Sequence, residues 1–219
     1  MSASAGAAPA KGSGHSIGFN LGAIALIVAV LGLGLAYGID AAGRARPADA
    51  APVSRTLGGH ELVIPAAWLR EDAAHGEGFA KQVELRLILP LGPEAAPRAI
   101  EVTLVPRSRV RPSAALLDGV YLHQFMPEQL DGPPGLVGKP LVATDGFAHE
   151  TVWYDPLSPA PFAAKCMAAV TAGTAGRCLR TVLLAPGIAA VYAFDDDVLV
   201  NWREFDARIQ RPLAEIGAL

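Results

Sequence analysis

Cys166 and Cys178 are the two cysteines of the chain, and they carry its sharpest chemistry. Between them lies MAAVTAGTAGR, centred on Thr171-Ala172-Gly173-Thr174, with apolar runs on either side. This pattern predicts a β-hairpin with a Gly-containing loop. Pairing about Ala172 sets Val170 against Thr174 and Cys166 against Cys178. Two cysteines directly opposite across a hairpin are within reach of a disulfide. Closing so short a loop contributes about 3 kcal/mol through loop-closure entropy. The bond requires an oxidising compartment, here the periplasm. The alternative is a pair of buried thiols in a cytoplasmic domain. Two cysteines at this spacing, with no neighbouring His, do not build a zinc site.

The other reactive residue types are scattered. Asp195-Asp196-Asp197 lacks the spaced ligands and later Glu of a calcium loop, and it reads as the acidic start of a helix. His60-Glu61 and His149-Glu150 each place a His beside an acid, but neighbours on a strand point to opposite faces. His60, His75, His123 and His149 show no H-E-x-x-H or His-x-His pattern. G-x-S-x-G, the P-loop and G-x-G-x-x-G are all missing. The expectation is a protein without catalytic, cofactor or metal residues.

One charged pattern remains. Arg107, Arg109 and Arg111 alternate in VPRSRVRP, just beyond a strand that carries Arg98. If the stretch is extended, the three guanidinium groups share one face. Such a stripe reads first as a charged edge strand. Its functional reading is a contact for lipid headgroups, anionic glycan or an acidic partner.

These residues need a frame. Strands are predicted at 60–64, at 82–89 ended by Pro90, and at 100–105 ended by Pro106. The last two are joined by LGPEAAPRA as a hairpin. A helix follows Pro112 with Ser113 as its cap. Residues 131–140 (DGPPGLVGKP) read as a loop. Residues 147–154 form a strand, 155–161 another loop, and 188–194 a strand after the cysteine hairpin. Val198, Trp202, Phe205, Ile209, Leu213 and Ile216 then recur at spacings of three and four. They mark an amphipathic helix that needs a sheet to cover. Glu204 and Arg208 pair on its outer face, and Pro212 breaks or kinks it. Six or seven strands and two helices make an α+β, mostly antiparallel, sandwich-like domain with the C-terminal helix packed on it.

The N-terminal part is of a different kind. No charge occurs between Lys11 and Asp40, and 17–39 is apolar throughout, apart from Asn20 and Tyr37. About 20 apolar residues suffice to cross a bilayer. The expected organisation is a disordered tail at 1–16, a single transmembrane helix at 17–39, a flexible linker at 40–55 and a periplasmic α+β domain at 56–219. The run is too long, and its n-region too weakly basic, for a cleaved signal, so it reads as a signal-anchor. Lys11 before it and Arg44 and Arg46 after it slightly favour a cytoplasmic C-terminus. Long domains translocate largely regardless of such charges, and the cysteines argue for the periplasm.

Within the span, Gly18, Gly22, Ala25, Ala29, Gly32 and Ala36 fall at alternating spacings of four and three. They form one seam of small residues, which lets helices approach closely in lipid. A homodimer or a membrane-protein partner fits this seam. Net charge is −3, which gives no reason to expect nucleic acid.

The stretches ELVIPAAWLR, VELRLILPL, FAAKCMA…GRCLRTV and IAAVYAFDDDVLVNWREFDARI resemble uncharacterised single-pass inner-membrane proteins of alphaproteobacteria. The resemblance implies an inner-membrane location and a periplasmic domain, with no activity attached. The leading expectation is a non-enzymatic bitopic protein whose domain is a scaffold or interaction module in the envelope. The alternatives are an accessory subunit docking through its span and an envelope enzyme without a recognisable motif.

Overall fold

The structure is a computed structural model. It describes residue 26 and residues 28–34, 51–70, 78–143, 149–169, 171, 173–184 and 187–219. The chain divides into a unit Met1–Arg46 and a unit Pro47–Leu219. In the first, the described residues are helical and exposed. Among the described residues no helix is long and apolar enough to cross a membrane. Most of 17–39 lies outside them, including Gly18, Gly22, Ala25 and Ala36 of the seam.

The second unit is α+β and mostly antiparallel. Its first strands are β1 (Val53–Leu57) and β2 (His60–Ile64), which pair from Val53–Ile64 to Leu57–His60. Gly58 and Gly59 make the two-residue turn with φ of 59° and 88°. That is the left-handed pair a type I′ hairpin requires, and glycine adopts it without strain. β3 (Gly78–Phe79) adds in parallel to β1. β1 begins inside the stretch expected to be linker. Its five residues VSRTL are too short and too polar to stand out by alternation.

The main sheet has seven strands in the order β4-β5-β10-β9-β8-β7-β6. They are β4 (Val83–Leu91), β5 (Ala96–Pro106), β6 (Val137–Pro140), β7 (Glu150–Tyr154), β8 (Ala163–Met167), β9 (Arg177–Leu183) and β10 (Ile188–Asp195). Each neighbouring pair is antiparallel. Pro90 does not end β4: it sits in the ladder opposite Pro97. β4 is an edge strand, and β10 covers β5 only from Glu101 onward, so neither proline removes a hydrogen bond from the sheet interior. Residues 137–140 are a strand rather than loop. Valine, glycine, lysine and proline give no alternation to read, and Gly138 is there because a Cβ would lie 2.4 Å from the Trp153 ring.

One face of the sheet carries the core. Val83, Leu85, Leu87, Ile100, Val102, Leu104, Tyr192 and Phe194 are buried on it. The C-terminal helix Trp202–Glu215 covers them through Phe205, Ile209 and Leu213. The Phe205 ring lies 5.0 Å from Phe194 and 5.6 Å from Tyr192. The periodicity of this helix is as the sequence predicts, but the helix starts later. Asp196–Asn201, which takes in the last two acids of the run, is a 3-10 turn ahead of the α-helix. Pro212 lies inside the helix, and Val63 N–H donates to the Ile216 carbonyl, which ties β2 to the helix end. Leu57, Leu62 and Ile64 join the same core.

The opposite face is half covered. The short helix Ser113–Gly119 packs Leu117 with Tyr121, Leu141 and Val152. Pro112, not Ser113, occupies the cap position. Ser113 is buried, and its Oγ accepts from the Thr181 N–H at 2.8 Å.

Candidate interaction surfaces

The cysteine hairpin forms in the predicted register. Cys166 pairs with Cys178 across β8 and β9, their Cα atoms are 4.0 Å apart, and a disulfide joins them. Both are buried on the core-bearing face. The bond therefore staples two central strands beneath the hydrophobic core.

The arginine stretch is built differently from the expectation. β5 ends at Pro106, and Arg107–Arg109 is a 3-10 turn rather than extended chain. Two-residue alternation therefore no longer puts the three guanidinium groups on one strand face. The cause lies in the flanking chain. The Arg107 N–H donates to the Gly187 carbonyl at 2.9 Å, and β10 starts only at Ile188, so the ladder runs out there. Arg107, Arg109 and Arg111 are all exposed. Arg109 Nη1 donates to the Lys81 carbonyl at 3.3 Å, which brings a fourth cation alongside. Lys81 precedes β4, and nothing in the sequence links it to residue 109.

The histidines do not gather. His60 is on β2, exposed His123 is in the 3-10 turn Tyr121–Gln124, and exposed His149 sits at φ 61° just before β7. His75 lies outside the described residues. Among the described residues no group of three or more His, Cys, Asp or Glu is placed to hold a metal ion.

Acids and bases mostly engage each other. On the core-bearing face, buried Arg180 makes a bidentate pair with Asp206, Nε to Oδ1 at 3.1 Å and Nη2 to Oδ2 at 2.6 Å. Its Nη1 donates to the Ala163 carbonyl, and its guanidinium lies 4.4 Å over the Phe162 ring. Beside it, burial pushes the Tyr192 phenol well above its ordinary range, and the Asp206 charge adds to that shift while Arg180 opposes it. The phenol is thus neutral and its nearest carboxylate is already bound. Together they line a cavity of about 370 Å³ with Val182, Leu184 and Ile209. This arrangement holds structure; it places no free base beside a nucleophile.

On the opposite face, Arg177 binds Glu101 at 2.7 Å and Asp195 at 3.0 Å. Arg70 reaches Glu101 at 4.0 Å and Glu84 at 3.7 Å. The network spans β4, β5, β9 and β10. Strand register and the chain before β4 bring it together, so sequence spacing gives no sign of it. Beneath the short helix, Lys165 Nζ donates to Glu150 Oε1 at 2.7 Å, and that carboxylate helps hold the Tyr121 phenol above its ordinary range, after burial.

A scan of family models finds no match to the chain, and neither does a search of curated proteins. Among solved structures, the fold is similar to that of an immunity protein of the Stenotrophomonas maltophilia type IV secretion system. The TM-score is 0.52 at 15% identity, over 76% of this chain and 93% of that one. At that identity the likeness is one of fold.

Proposed function

We propose that this chain is a non-enzymatic envelope protein, anchored by 17–39, whose disulfide-stapled domain is an interaction module in the periplasm. The observation that carries this reading is the fold itself, which matches nearly the whole of a secretion-system immunity protein. The location is supported by the Cys166–Cys178 bond, which an oxidising compartment maintains. The apolar run at 17–39 suits a full membrane span. On the core-bearing face the charged pair Arg180–Asp206 is spent on structure, which suits an interaction domain better than a reaction centre.

The test is capture of the full-length chain in mild detergent. A stoichiometric soluble partner that stays bound after Gly22→Ile plus Ala29→Ile supports the interaction module. A membrane partner lost in that variant makes the chain an accessory subunit that docks through its seam. Recovery of the chain alone at native expression overturns both.

A further inference from the structure

We infer that one end of the seven-stranded sheet rests on the anionic headgroup surface of the bilayer. This inference depends on the anchor proposed above. The surface is made of Lys81, Arg107, Arg109 and Arg111, with Phe79 beside them. All five are exposed, and Phe79 is 94% exposed. Register places them at one end, because Val83 opposes Leu104 where β4 begins and Ile188 opposes Pro106 where β10 begins. The Arg109–Lys81 hydrogen bond joins the two segments. Phe79 is two residues from Lys81, about 7 Å along an extended chain.

Among the described residues none of these four cations has an ion-pair partner. Glu84, three residues from Lys81, accepts from Gln82 Nε2 at 2.8 Å and lies 3.7 Å from Arg70. Four unneutralised cations and an unburied ring form a pattern suited to phosphate oxygens and the acyl boundary. The scaffold beneath is firm. Arg107 N–H is held by Gly187 O, and Gly187 abuts Gly58 so closely that a Cβ on Gly58 would lie 2.8 Å from that oxygen. The chain is long enough to allow the arrangement. Residues 40–52 separate 17–39 from β1, and thirteen residues can extend to roughly 45 Å. Val53, at the far end of β1 from Gly58, is about 13 Å along the strand from Leu57.

The experiment places the full-length chain in lipid nanodiscs of phosphatidylcholine alone or mixed with phosphatidylglycerol, each with brominated acyl chains. Phe79→Trp supplies the reporter, and the unsubstituted chain gives the background of the other tryptophans. The added fluorescence should be quenched roughly twofold more strongly in the anionic discs, and the excess should vanish at high salt. Arg107→Ser, Arg109→Ser and Arg111→Ser together should abolish it, while the three Arg→Lys changes should retain most of it. Equal quenching in both lipids, or an excess that survives the triple Ser change, overturns the assignment. Equal quenching would leave the surface to an acidic protein partner. Failure of the chain to enter either disc overturns the anchor, and this inference with it.

Discussion

Arg177 and Arg180 stand three residues apart on β9, and strand alternation sends them to opposite faces of one sheet. The two faces treat the same side chain differently. Arg180 lies under the C-terminal helix with its side chain 8% exposed, and it is fully engaged by a bidentate carboxylate, a carbonyl and an aromatic ring. Arg177 lies on the other face at 34% exposure, where it binds Asp195 and shares Glu101 with Arg70. A guanidinium taken out of water must have its donors met, because each unmet one carries a desolvation cost. A guanidinium in contact with water needs no such fixed set, and its pairs are worth little. Of these two arginines, the one on the covered face is therefore the one that carries stability, and the uncovered part of the other face is freer to change.

The largest effects should come from the covered face. Removing the disulfide by Cys166→Ala plus Cys178→Ala should cost about 3 kcal/mol, seen as a lower melting temperature in detergent. The unsubstituted chain under reducing agent should lose a similar amount; a negligible loss would mean that the hairpin is stapled by packing alone. Asp206→Ala should cost about 2 kcal/mol, below the range for a fully buried pair because Asp206 is 44% exposed. Loss of the Asp206 partner leaves the Arg180 guanidinium in place beneath the helix with two donors unmet.

The same contrast explains what was legible in advance. The cysteine register, the β4–β5 hairpin and the face of the C-terminal helix follow from local spacing alone. Glu204 and Arg208 belong to this group too, since a helix fixes them four residues apart and they meet at 3.1 Å. The network of Arg70, Glu84, Glu101, Arg177 and Asp195 was not legible, because it draws on four strands and on the chain before β4. The arginine stretch shows the limit from the other side. Its two-residue alternation looks like a strand, yet its main chain turns where the neighbouring strand stops. β6 was hidden because close packing against Trp153 selects glycine, which looks like loop.

On the open face the effects should be small. Glu101→Ala removes the acid shared by Arg70 and Arg177, and it should cost no more than about 1 kcal/mol, since all three side chains are about one-third to one-half exposed. The cost should shrink further at high salt. A loss as large as that of Asp206→Ala would break the distinction between the faces.

Glu204 tests the boundary between them. It lies on the C-terminal helix, where its Oε1 accepts the Gly92 N–H at 2.5 Å and its Oε2 accepts from Arg208. The Gly92 N–H, followed by Arg208, holds this carboxyl below its ordinary value of 4.5. A depressed carboxyl contributes stability that is present above the unfolded value and lost as pH falls through the folded one. Glu204→Gln should therefore melt below the unsubstituted chain at neutral pH, and the two should converge as the pH falls from 4.5 through the lower folded value. The effect should be the smallest of the four, because water screens a carboxylate at the surface. A gap that stays constant down to low pH would show that Glu204 acts by shape in the β4–β5 turn. The charge rule drawn from β9 would then stop at the helix's inner face.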